Sequence, residues 1–122
     1  MVQGFSASTT HLDSGIVAVH LHGYLDAYTA PQLDEMLGSL VEQGVTRVII
    51  DCAELEYISS AGLGVFMAHL EPLRSAGGDL KICSLNERIA TIMDMLGFQH
   101  IFHITEHPDQ AYAAFMQHPD RQ

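Results

Sequence analysis

Apolar residues recur along the chain in two different periods, and the period changes at turn signals. From Gly15 to His22, Val17, Val19 and Leu21 alternate with Ala18, His20 and His22, the pattern of a strand. Residues 5–10 predict a partner strand, joined to it by the Asp13-Ser14-Gly15 turn. Gly23 predicts the end of this strand, and Asp26 to Tyr28 a loop. Thr29 is placed to cap a helix, with Pro31 in its first turn and Gln32 completing a capping box. Leu33, Met36, Leu37, Leu40 and Val41 then follow the helical period as far as Gly44.

The run Val48-Ile49-Ile50 is apolar without alternation, which predicts a strand covered on both faces. A helix is expected from Ser60 to about Ser75, with Leu63, Phe66, Met67, Leu70 and Leu73 as its inward stripe. Pro72 predicts a kink or an early end, because it lacks an N–H and crowds the preceding turn. Gly77-Gly78 forms a turn, and Leu80 to Cys83 a strand. Asn86 or Ser84 caps a third helix carrying Ile89, Ile92, Met93 and Leu96, and Gly97 stops it. A short strand at 101–104 and a last helix from Pro108, with Ala111, Tyr112 and Phe115 inward, complete the order β-β-α-β-α-β-α-β-α. Helices alternating with apolar strands imply right-handed crossovers onto a mostly parallel sheet. The expectation is one α/β domain over residues 1–122, its core about 5–117, with helices mainly on one sheet face and the other face open.

Composition narrows the partners. The 122 residues carry 15 acids against 5 bases, a formal charge of -10, so nucleic acid and anionic membrane are unfavourable partners. Cys52 and Cys83 each end an apolar run and predict buried strand residues in a reducing compartment. The opening MVQGFSASTTHLDSG has no basic start and no apolar segment, and no stretch approaches a membrane span. A soluble, cytoplasmic protein is expected. The histidines at 20, 22, 100 and 103 lack the companions of a zinc site, and His20 and His22 predict two solvated side chains on an open-face strand, so no metal and no cofactor is expected. Gly62-x-Gly64 lacks the Gly-Lys-Ser/Thr of a phosphate loop, and no Gly-x-Ser-x-Gly elbow supports an enzyme.

The most informative stretch is Asp51 to Phe66, DCAELEYISSAGLGVF, a strand running through a loop into a helix that opens on serines and glycines. A serine there lies beside unpaired N–H groups and the positive end of the helix dipole, where a phosphate is tolerated. Taken alone, Ser59 or Ser60 reads as a helix cap, and the glycines as positions of close packing.

The wider pattern resembles the signature of the STAS-domain anti-sigma factor antagonists. Asp51, Leu55 and Ile58 match its strand and loop, and Ser59-Ser60-Ala61-Gly62-Leu63-Gly64 matches the serine-glycine opening of its helix. Gly23-Tyr24-Leu25-Asp26 with Thr29-Ala30, and Met95-Leu96-Gly97-Phe98, resemble two further segments of the family in the right order. The resemblance implies that Ser60 accepts phosphate and that Asp26, Ser59, Ser60, Ala61, Gly62, Leu63 and Gly64 form the partner-binding surface. It implies two partners, an anti-sigma factor serine kinase of the histidine-kinase-like ATPase type and a PP2C-type phosphatase. A monomer or weak dimer is expected. Ser59 stands where the best-studied members have Asp, and Ala61 where they have Ser or Thr. Asp26 reads equally as a docking acid or as a turn cap, and Asp51 as a structural acid that accepts backbone N–H bonds. The alternative within the same fold is a non-switching adaptor or scaffold subunit, in which Ser60 would be only a cap.

Overall fold

The computed structural model describes residues 4–117. Nine regular elements follow one another: β1 (Phe5–His11), β2 (Ile16–Leu25), α1 (Ala30–Glu42), β3 (Arg47–Ile58), α2 (Ser60–Ser75), β4 (Asp79–Cys83), α3 (Glu87–Met95), β5 (His103–Thr105) and α4 (Pro108–Gln117). The strands form one sheet in the order β1-β2-β3-β4-β5, with β1 antiparallel to β2 and the other pairs parallel. β3 is central, as its uninterrupted apolar run requires.

Strand alternation sorts the side chains into two cores. Val17, Val19 and Leu21 face α1, α2 and α3 together with Ile50, Cys52, Ile82 and Phe66. Ile16, Ala18, Ile49 and Cys83 point the other way and are covered by Ala111 and Phe115 of α4. The second face is therefore closed at one end, where an open face was expected. Beside this small core, the buried Lys81 donates from Nζ to Asp79 Oδ2 (3.1 Å) and to His103 Nδ1 (3.0 Å), with the Phe115 ring 4.6 Å away. Burial, then the Lys81 ammonium, holds the His103 ring below its ordinary pKa.

Several local expectations are corrected. β2 does not end at Gly23. It runs on to Leu25, and Gly23 takes φ +95°, where a Cβ would lie 2.1 Å from the Gly4 carbonyl oxygen. β3 does not end at Asp51 but continues to Ile58 through two bulges. Between His20↔Asp51 and His22↔Glu54, and again between Gly23↔Leu55 and Tyr24↔Tyr57, β3 has one extra residue. The bulges give its buried positions 52, 55 and 58 a spacing of three, which matches neither a strand nor a helix. Pro72 does not end α2 early. It lies in the exposed last turn, where it removes a single backbone bond, and the helix runs to Ser75. Met67 and Leu96, expected inside, are 43% and 55% exposed.

Candidate functional site

The last rungs of the β2–β3 pairing, Tyr24↔Tyr57 and Leu25↔Ile58, bring two chain exits to one end of the sheet. The Ser59 N–H donates to the Leu25 carbonyl (2.9 Å) and fixes the exits side by side. One leads into α1 and the other into α2, so the Asp26 loop and the serines of α2 are neighbours.

The α1 start is closed on itself. Asp26 Oδ1 accepts from the backbone N–H of Tyr28 (2.9 Å) and of Thr29 (3.1 Å). Thr29 Oγ1 accepts from the Asp26 N–H (2.8 Å) and donates to the Tyr24 carbonyl (2.9 Å). Asp26 therefore caps the turn that leads into α1, and no side chain caps the helix N–H groups as was expected of Thr29. The side chain of Thr29 caps no N–H of the helix, and its backbone is already helical, with φ -103° and ψ -17°. The cap reading of Asp26 is thus realised in the structure. Tyr28, between these residues, is 92% exposed.

The α2 start is open. Ser59 has the extended backbone of a cap residue (φ -99°, ψ 175°), but its hydroxyl makes no capping bond. Its Oγ is buried and unpartnered among the described residues. Ser60 is the first helical residue and is exposed. The first helical bond runs from Leu63 N–H to the Ser59 carbonyl (3.0 Å), leaving the N–H groups of residues 60–62 outside the helical ladder. Leu63 is buried and Ala61 half-buried, both packed into the main core.

The two glycines differ. A Cβ on Gly62 would meet Leu25 Cγ at 2.7 Å and Ile58 Cγ1 at 2.9 Å, so α2 seats against both strand ends only because this residue has no side chain. Gly64 is exposed and has open space around it. With Ser60 and Met67 it shares one helical face, at spacings of four and three. The outer face of α2 thus presents a hydroxyl, a bare stretch of backbone and a large apolar side chain. Met67 and Tyr28 were missed as surface residues. Met67 fits the inward period numerically, and Tyr28 is signalled only as an aromatic in a three-residue loop with no apolar stripe to join.

The other candidates fall outside this end of the sheet. Asp51 Oδ1 accepts from Ala53 N–H (3.1 Å) inside the first bulge of β3, which is the structural role expected of it. Its Oδ2 lies 2.8 Å from Nδ1 of His20, whose Nε2 is 2.9 Å from the Thr10 hydroxyl. His20 is therefore tied into the sheet, where a solvated side chain was expected, while His22 is exposed. Cys52 and Cys83 are buried in different cores. Burial pushes the Cys83 thiol up to about 11 and the Cys52 thiol higher still, so neither is a nucleophile at neutral pH. Among the described residues no group of three metal-ligating side chains forms, and no helix is long and apolar enough to cross a membrane.

The model of the STAS domain matches residues 8–111, and so takes in both helix starts and every strand except the first three residues of β1. The chain belongs to the STAS domain family. The BtrV protein of Bordetella bronchiseptica is 35% identical over 101 residues, covering 83% of this chain and 87% of that one. The anti-sigma-B factor antagonist of Staphylococcus epidermidis is 34% identical over 88 residues, covering 72% and 82%. Among solved structures, the anti-sigma factor antagonist SpoIIAA of Bacillus, in its unphosphorylated form, superposes with a TM-score of 0.73 at 17% identity, covering 92% of this chain and 98% of that one. SpoIIAA in its phosphorylated form gives 0.71 at 16% identity, covering 89% and 98%. At these identities the superpositions establish the STAS fold, and family membership rests on the sequence matches.

Proposed function

We propose that this STAS protein is a cytoplasmic anti-sigma factor antagonist that works by partner switching, with Ser60 as its phosphate acceptor. The observation that carries the reading is the exposed Ser60 at the open first turn of α2, on one face with Gly64 and Met67. Unphosphorylated, this face binds an anti-sigma factor that is also a serine kinase of the histidine-kinase-like ATPase type, and the sigma factor is released. The kinase transfers the terminal phosphoryl group of ATP to the Ser60 hydroxyl, whose proton is lost, and leaves ADP. A PP2C-type phosphatase hydrolyses the phosphoserine and restores binding. The role is binding, and the only chemistry falls on the protein itself.

The physical basis is a charge change in a packed contact. The first-turn N–H groups and the helix dipole let the folded protein carry the phosphate without unfolding. The partner sits against Gly64 and Met67 with no room for hydration, and a near-dianion placed there lowers affinity by about a hundredfold or more. Asp26 holds the neighbouring loop rigid and presents Tyr28 beside the contact.

A non-switching adaptor is the second reading. It is favoured by Ser59, which puts a buried hydroxyl where the best-studied members carry an acid. Titration calorimetry against the cognate anti-sigma kinase separates the two. Switching predicts that Ser60→Ala binds as the wild type does and Ser60→Asp about a hundredfold more weakly. Equal affinity for both variants favours the adaptor.

A further inference from the structure

The hydrogen bonds at the two ends of the β1–β2 hairpin fix which backbone groups of β1 remain free. Tyr24 N–H donates to the Gly4 carbonyl (2.9 Å) and Leu12 N–H to the Ile16 carbonyl (2.7 Å). In the register Phe5↔Gly23 to His11↔Val17, even-numbered residues of β1 therefore bond to β2. The N–H and C=O groups of Phe5, Ala7, Thr9 and His11 point away from the sheet. The side chains of the same four residues line a groove of about 680 Å³ whose opposite wall is α1, with Met36 and Leu40 at its floor. One set of residues thus supplies both an unused ladder and an adjoining partly apolar groove, which is what an added strand needs.

Nothing on β1 guards this edge. Natural edge strands are protected by lysine, proline, a bulge or short length. β1 is seven residues long, FSASTTH, and pairs with β2 without a register shift. The opposite edge, β5, has three residues.

We propose that this edge docks β1 of a second copy of the chain, antiparallel, about a two-fold axis through Ser8. Charge selects this occupant. The molecule carries a formal charge of -10, yet Glu35 is the one acid among the ten residues lining the groove, and β1 has none. Two such chains therefore meet little like-charge repulsion at this edge. The register is also self-complementary. With Ser8 on the axis, Phe5 faces His11 of the other copy and Ala7 faces Thr9, so every residue with free edge groups meets another of the same kind. The axis stands normal to the sheet, so both α1 helices lie on one side of the joined sheet and close the two grooves against each other. Seven-residue pairing is small against the roughly 1,200 Å² that stable complexes bury, so the dimer is weak and forms at high concentration. The edge lies along the side of the sheet and leaves Ser60 open in both copies.

Amide hydrogen exchange followed by NMR, with sedimentation velocity, tests this from about 10 µM to about 1 mM. The N–H groups of Ala7, Thr9 and His11 should gain about tenfold protection as the sedimenting mass rises toward two chains, while Ser6, Ser8 and Thr10 stay protected throughout. Thr9→Pro removes an outward N–H that β2 does not use, so it should keep the fold and abolish the dimer. Odd-numbered amides that exchange equally fast across the range would overturn the proposal. So would a dimer that persists in Thr9→Pro, since it must use another surface, or protection that appears only when the anti-sigma partner is added. The exchange measurement needs no variant, so it decides the matter even if Thr9→Pro disturbs the strand.

Discussion

α1 and α2 begin side by side at the same end of the parallel sheet, and their first turns are built in opposite ways. At α1 the Asp26 carboxylate and Thr29 hydroxyl account for four backbone groups within a few residues. At α2, Ser59 turns its hydroxyl inward without a capping bond and Ser60 stands exposed. Stability alone would favour a capped α2, because a capping side chain contributes about 1 kcal/mol. The difference teaches that the α1 start is closed by its own side chains, whereas the α2 start leaves its first-turn N–H groups without a capping side chain and Ser60 exposed. Gly62 joins the two by letting α2 rest on Leu25, the residue just before the Asp26 turn.

Breaking that join should have the largest effect. Gly62→Val forces branched carbons into Leu25 and Ile58 and should cost about 3 kcal/mol, read as a lower denaturant midpoint. Gly64→Ala is its counterpart. With open space around the residue, it should gain about 0.5–1 kcal/mol from helix propensity, and on the proposed reading it should weaken partner binding by adding bulk to the proposed docking face.

Opening the closed start comes next. Thr29→Val keeps the shape but removes the acceptor for Asp26 N–H and the donor to Tyr24, and should cost about 1–3 kcal/mol. Ser59→Ala should move stability by less than about 0.5 kcal/mol, since its hydroxyl has no partner to lose. A large loss in Ser59→Ala and none in Thr29→Val would reverse the comparison.

The smallest effect is at the α4 end. His103 titrates below its ordinary value of 6.5 in the folded protein. The unfolded chain therefore takes up the proton first as pH falls. The stability His103 contributes is whole above pH 6.5 and is lost as pH drops through the lowered folded value. Thermal melts of His103→Gln should show a shallower acid loss than the wild type over that window.

The fold was legible wherever periodicity was undisturbed. α2 begins at Ser60 as expected, and Asn86 caps α3 by accepting from Ile89 N–H (2.8 Å). It was illegible where the backbone departs from a regular period. The bulged half of β3 buries residues at intervals of three, and Gly23 looks like a terminator because its left-handed φ is usually found in turns. The Thr29 cap of α1 is not made because its hydroxyl is taken by the Asp26 N–H and the Tyr24 carbonyl, while Asp26 closes the preceding turn, which spacing does not reveal. At the site, the serines and glycines were legible as a motif. What sequence could not separate was the buried hydroxyl of Ser59 from the exposed residue Ser60, or the packed glycine from the open one, because each pair is chemically identical and differs only in where the helix points it.

That separation is also the central claim, and phosphosite mapping tests it most directly. Wild type, Ser59→Ala and Ser60→Ala are incubated with the cognate anti-sigma kinase and ATP, and intact and fragment masses are read. The wild type and Ser59→Ala should each gain one phosphate, on the fragment containing Ser60, and Ser60→Ala should gain none. Phosphate retained in Ser60→Ala and lost in Ser59→Ala would contradict the account, because the acceptor would then be the hydroxyl that the fold buries.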